Sequence, residues 1–221
     1  PVAFLLLFVY VLGGTIAPNV AGGRADFVAY LVPGIMATTI AGAAQGTTIS
    51  VAGDMTSGIV ARFKTMPIAR VSVLTGHVLG SLVQTFLAIA ATTAAALAIG
   101  YRPRATALDW LGVIGVLAVF TFAITWLAVA LAMLTDNVAT ASNLPMPLLI
   151  LPFLGSGFVP ASSMPAALRW FAAHQPFTPV IETLRALLGD DHVGSSLLKT
   201  VVWSAVISLG GYLAARRRYN R

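Results

Sequence analysis

The chain has 221 residues, 58% hydrophobic and 9% charged, with a mean hydropathy of +0.90 and a formal net charge of +6. Soluble domains carry about 25% charged residues, so this balance excludes an ordinary soluble domain and indicates a membrane protein, which the long uncharged runs taken below make all-α and polytopic. The 13 basic residues lie scattered between apolar runs, which suits loops facing anionic membrane lipids and not a nucleic-acid-binding stripe.

There is no cysteine, so neither a disulfide framework nor a thiolate metal site is possible. GxxxxGK[ST], HExxH and GxSxG do not occur, and His77, His174 and His192 are scattered. No metal site, no cofactor bound by this chain and no enzymatic centre are therefore expected. The sequence opens at Pro1, already inside an apolar run. Without a basic n-region it is read as a chain lacking its true N-terminus, not as a signal peptide.

A membrane helix needs about 20 apolar residues to cross a core of about 30 Å. Pro1 to Ala17 forms a slightly short first span, and Pro18 to Asp26 a loop. Phe27 to Gly53 carries no charged residue and makes a second span, with Thr38, Thr39, Gln45, Thr47, Thr48 and Ser50 set among Gly and Ala. Small and hydroxyl residues allow close helix approach, so this helix is expected to be buried in a bundle.

Gly53 to Gly76 is an amphipathic interruption. Asp54 suits an N-cap, and Met55, Ile59, Phe63 and Met66 recur as one apolar stripe. Arg62 and Lys64 flank that stripe, and Pro67 disfavours helix at Met66. A helix over 54–67 of this kind belongs at a membrane surface or against a partner protein; the plain alternative is a connecting loop. Val71 to Tyr101 is the third span, with His77, Gln84 and Thr85, and Arg102, Pro103 and Arg104 end it. His77 reads as a polar packing group or as a proton relay. Trp110 to Thr135 is the fourth span. The fifth runs from Thr140 to Phe158 and is broken by Pro145, Pro147 and Pro152, which makes it a candidate pathway wall.

Two short amphipathic helices are predicted next, at Pro165 to Ala173 and Pro179 to Leu188, with Glu182 and Arg185 spaced to pair. Ser195 to Ala215 is the sixth span, ending in Arg216, Arg217, Arg218 and Arg221. Six spans put both termini on one side, and the terminal arginines assign that side to the cytoplasm. The 54–70 stretch then lies inside and the 159–194 segment outside. No charged residue falls deep in a predicted span, so ion coupling is not indicated.

The run DMTSGIVARFKTMPIARVSVLTG (54–76) resembles the signature of type-2 ABC transporter permeases: an acid, a Gly, a basic residue, a Pro-Ile pair and an Arg before the third helix. GSGFVPASSMPAALRWFAAHQPFTPVIETLRALL (155–188) and the RRR terminus are also similar to that family, in particular to daunorubicin-type drug-export permeases of actinobacteria. The resemblance implies a six-helix permease of the cell membrane, paired as a homodimer or with a related chain and driven by a separate cytoplasmic ATPase that holds ATP and Mg. It implies that the 54–67 helix is a coupling helix seated in a groove of the ATPase. The matching positions are Asp54, Gly58, Ile59, Arg62, Phe63, Met66, Pro67, Ile68 and Arg70, with Phe63 and Met66 as apolar anchors. Where many members have a Glu-rich start, only Asp54 is acidic here. The resemblance further implies that 160–190 forms outer helices dipping toward the membrane, against a plain extracellular cap.

Candidate pathway residues are Thr38, Gln45 and Thr48 of span two and Asn143, Pro145 and Pro147 of span five; helix packing accounts for the hydroxyl residues equally well. The expected activity is outward movement of an amphipathic, drug-like molecule by alternating access. Its rivals are export of a lipid or lipid-linked glycan, and an ATPase-independent transporter or scaffold.

Overall fold

The computed structural model describes residues 1–13, 23–57, 72–135, 137–160, 163–189 and 191–219. Among them all regular structure is helical. The helices are α1 (Val2–Leu6, continuing as a π-helical stretch Leu7–Leu12), α2 (Gly23–Thr56), α3 (Ser72–Ala98), α4 (Ala107–Ala132), α5 (Val138–Asn143), α6 (Met146–Leu154), α7 (Ala166–His174), α8 (Phe177–Gly189) and α9 (Ser196–Tyr219).

Four of these, α2, α3, α4 and α9, contain stretches long and apolar enough to cross a membrane, and Val2–Val11 and Val138–Leu154 are shorter apolar segments. The last two fall on the predicted first and fifth spans. The fifth is broken at Pro145, which has no N–H to donate and disfavours helix at Leu144, but not at the predicted Pro152, which lies inside α6. Pro147 sits in the first turn of α6, where a missing N–H costs nothing.

The second predicted span is the hub. α2 packs against α3, α4, α5, α6 and α8, and Leu31, Val32, Ile35, Ala37, Ile40 and Ala41 on it are fully or almost fully buried. A Cβ at Gly34 would collide with the backbone of Gly157, so glycine permits that approach. The hydroxyls on α2 satisfy themselves first: Thr39 donates to Ile35 O, Thr47 to Ala43 O and Thr48 to Ala44 O. Two of them also reach neighbours, Thr47 donating to Ser81 Oγ at 2.8 Å on α3 and Thr48 to Ala128 O at 3.2 Å on α4.

Both predicted short helices form. α8 lies within the bundle, with Phe177, Val180, Ile181 and Leu184 fully buried and Phe177 edge-on to Phe120 at 5.0 Å. Gln175 fixes its start by accepting from Phe177 N and donating to Thr178 Oγ1 and Leu151 O. The predicted Glu182–Arg185 pair does not form. Arg185 instead lies 3.9 Å over the Tyr30 ring and donates to Ser156 O at 2.8 Å, because its long side chain reaches back into the bundle while Glu182 stays exposed.

The end of α3 is a tight left-handed cap. Gly100 has φ +103° and donates to Leu97 O, and Tyr101 N donates to Ala96 O, which satisfies the final carbonyls. Burial pushes the Tyr101 hydroxyl up to about 12.

Two outcomes follow from this packing. Gly34→Ala should lower stability in detergent by about 1–3 kcal/mol through overpacking, whereas Gly115→Ala, with no atom within 4 Å of the added carbon, should be neutral or stabilising by up to about 1 kcal/mol. Equal thermal shifts for the two would contradict the close approach. For Tyr101, the unfolded chain ionises from about pH 10 while the folded chain holds its proton to about pH 12. Stability should therefore fall as pH rises through that window, and Tyr101→Phe should flatten the fall in alkaline unfolding curves.

Candidate functional site

A groove runs along the seam between α2 and α3 as two chambers that share Gly46 and Gln84. The first, about 470 Å³, is mainly apolar: Thr38, Gly42 and Ala43 of α2 face Ala88 of α3, with Phe4, Leu149 and Phe153 closing it. The second, about 450 Å³, is polar and is lined by Thr47, Ser50, His77 and Ser81 among glycines.

Glycine spacing creates the space. Gly42 and Gly46 stand one turn apart on α2, and Gly76 and Gly80 one turn apart on α3. A Cβ at Gly46, Gly76 or Gly80 would meet nothing within 4 Å, so no neighbour fills the gap. An aromatic cluster stands beside the apolar chamber: Phe153 stacks on Phe158 at 4.5 Å, Phe158 lies 4.9 Å from Phe8, and Phe4 lies 6.1 Å from Phe153.

At the far end of the polar chamber, His77 Nε2 lies 3.0 Å from Asp54 Oδ2, and Ser50 Oγ lies 3.5 Å from Nδ1. This contact joins the last turn of α2 to the first turns of α3. Asp54 is consequently not an N-cap. The helix runs on through it to Thr56, and Ser57 N donates to Gly53 O at 2.9 Å. The other coupling positions, Gly58, Ile59, Arg62, Phe63, Met66, Pro67, Ile68 and Arg70, lie outside the described residues.

Of the pathway candidates, Thr38 lines the apolar chamber. Gln45 donates to Ser142 O at 3.2 Å and so ties α2 to α5. Thr48 is fully buried against α4. Asn143 is exposed and bonds within its own helix to Ala139 O. Pro145 is buried, Pro147 is exposed, and neither lines the groove. Sequence reasoning passed over Gly42, Gly46, Gly80, Phe4 and Phe153, and noted Gln84 on the third span without assigning it to a pathway. The paired glycines on successive uncharged spans were the available signal; that Phe4 and Phe153 meet is a tertiary fact with no local signature. Among the described residues no group of three His, Cys, Asp or Glu can hold a metal ion.

Gly46→Leu directs an apolar side chain into both chambers from a position where nothing obstructs it. It should leave thermal stability within about 1 kcal/mol of wild type and weaken saturable binding of the amphipathic dye rhodamine 6G by about tenfold or more. Unchanged dye binding would mean that the groove is not where such a molecule sits.

Among proteins of known assignment, the chain is similar to the daunorubicin resistance ABC transporter permease protein DrrB1 of Streptomyces coeruleorubidus, 27% identical over 189 residues, covering 85% of this chain and 65% of that protein. It is also 26% identical over 150 residues to a probable doxorubicin resistance ABC transporter permease protein, DrrC, of Mycobacterium tuberculosis, covering 68% of this chain and 54% of the relative. The matched region thus spans less than two thirds of either relative's length. The ABC-2 type transporter pattern matches residues 1–188, and the chain belongs to that family. It is a multi-pass membrane protein of a family whose members are transporter subunits and not themselves enzymes.

Proposed function

From this membership we propose that the chain is the permease subunit of an ATP-driven exporter that moves an amphipathic, drug-like small molecule out of the cell by alternating access. The observation that carries the reading is the α2–α3 groove, in which an apolar, aromatic-flanked chamber continues into a polar one. An amphipathic molecule has a place there for each of its halves. Each chamber falls within the range of about 300–1,000 Å³ typical of small-molecule pockets, which favours a small cargo over a lipid-linked glycan.

In this reading α1 and the broken α5–α6 pair complete a set of six membrane segments, and α7–α8 is an outer insertion dipping into the bundle. Both termini are cytoplasmic, which the exposed Arg216, Arg217 and Arg218 at the end of α9 support. The protein works as a dimer. The exposed apolar faces of α3 (Leu79, Val83, Leu87) and α9 (Leu198, Val202, Val206, Leu209) are available to a second permease or to lipid. ATP and Mg belong to a cytoplasmic ATPase that receives the 54–67 segment, with Phe63 and Met66 as apolar anchors and Arg62 and Arg70 meeting acids. The Asp54–His77 contact joins the helices on either side of that segment, so a push on it reaches α2 and α3, the two walls of the groove, together.

The test is co-purification of the full-length permease with its ATPase, comparing wild type with Phe63→Asp. A carboxylate forced into an apolar groove without a partner costs several kcal/mol, so the variant should insert in the membrane normally, lose the ATPase and lose dye efflux. If the variant retains the ATPase and full efflux, the coupling assignment fails.

A further inference from the structure

Away from the groove, a cavity of about 620 Å³ lies between the first turns of α2, the Gly100–Arg104 connection and the end of α8. Three arginines line it (Arg102, Arg104 and Arg185) together with two carboxylates, Asp26 and Asp191. No ion pair joins any two of these five groups, and all but Arg185 are exposed, where pairing with each other would gain little. The cavity thus keeps cationic and anionic groups apart across open space.

Two of the three guanidinium groups are held in place. Arg185 is fixed over the Tyr30 ring and by Ser156 O. Arg102 donates through Nη1 to Leu97 O and Tyr101 O, which anchors the guanidinium while Nε and Nη2 remain for another acceptor. Arg104 is exposed, with its backbone N–H tied to Leu188 O. Guanidinium groups so arranged match phosphate oxygens. A simple anion would face repulsion from Asp26 and Asp191, whereas a ligand with an ammonium beside its phosphate answers both signs.

The level in the membrane identifies the source. The connection joins the end of α3 to the start of α4, two stretches that qualify as membrane spans, and Trp110 stands in the first turns of α4. Aromatic residues at span ends mark the headgroup layer. We propose that this cavity binds the zwitterionic phosphate–ammonium headgroup of a phospholipid such as phosphatidylethanolamine. This site is distinct from the α2–α3 groove and does not depend on which molecule is exported.

The experiment titrates the full-length protein in detergent with dihexanoyl phosphatidylethanolamine, dihexanoyl phosphatidylglycerol and inorganic phosphate, reading binding by native mass spectrometry. Phosphatidylethanolamine should bind about tenfold or more tighter than either other probe, and Arg104→Gln should weaken it by about tenfold. Asp191→Asn should weaken phosphatidylethanolamine while strengthening phosphatidylglycerol, a reversal that a purely structural carboxylate cannot produce. Both positions are exposed, so both variants should unfold at the wild-type temperature. Preference for phosphatidylglycerol, with Asp191→Asn strengthening both lipids, would overturn the zwitterionic assignment. Phosphate binding as tight as that of phosphatidylethanolamine would overturn the lipid source, and lipid binding unchanged in both variants would overturn the site.

Discussion

The near-contact of two backbones at Gly34 and Gly157 is the constraint on which the rest of the bundle depends. Apolar side chains gain little by leaving lipid for a protein interior that is equally apolar, so helices associate through close packing and interhelical hydrogen bonds. Small residues at 34, 37, 41 and 44 form one stripe of α2 and bring neighbouring helices close. Gly157 belongs to the turn that follows α6, so the same contact seats the broken helix and, through Ser156, the Tyr30–Arg185 cluster.

The same helix uses small residues on another face for the opposite purpose. Thr38, Gly42 and Gly46 line a gap that nothing fills, opposite Gly80 and Gln84 of α3. A stripe of glycine is therefore ambiguous by itself: at Gly34 it admits a backbone, at Gly46 it leaves room. Only the position of the neighbouring helices separates the two uses. One rigid helix thereby combines a tightly packed edge with a cavity edge, an arrangement suited to a wall that must hold its shape while its partner moves.

Much of the architecture was legible in the sequence because its signals are local. The uncharged runs, the break before Pro145 and the two short helices between residues 165 and 189 all follow from hydropathy, proline geometry and apolar spacing. What escaped was set by tertiary contact. Glu182 and Arg185 have the spacing of a helix pair, but an aromatic ring and a carbonyl inside the bundle compete better for a guanidinium than an exposed carboxylate does. Asp54 has the chemistry of an N-cap, yet helix continues through Gly53 and the carboxylate meets His77 instead. Thr48 reads equally well as pathway or as packing, and its bond to Ala128 O commits it to packing; Thr38 has the same local chemistry and lines the cavity.

With no cysteine among residues 1–221, and any outside them replaced by serine, the central claim, that the α2–α3 groove is the cargo route, is open to direct measurement. Single cysteines at Gly46 and Gln84, with buried Ala41 as control, would be labelled by a membrane-impermeant maleimide in vesicles carrying the full-length protein and its ATPase. Labelling at both groove positions, protected by an amphipathic dye and changed in rate by ATP, with none at Ala41, is the expected result. Groove positions that resist the reagent, or that label at one rate whatever dye or nucleotide is present, would contradict the claim.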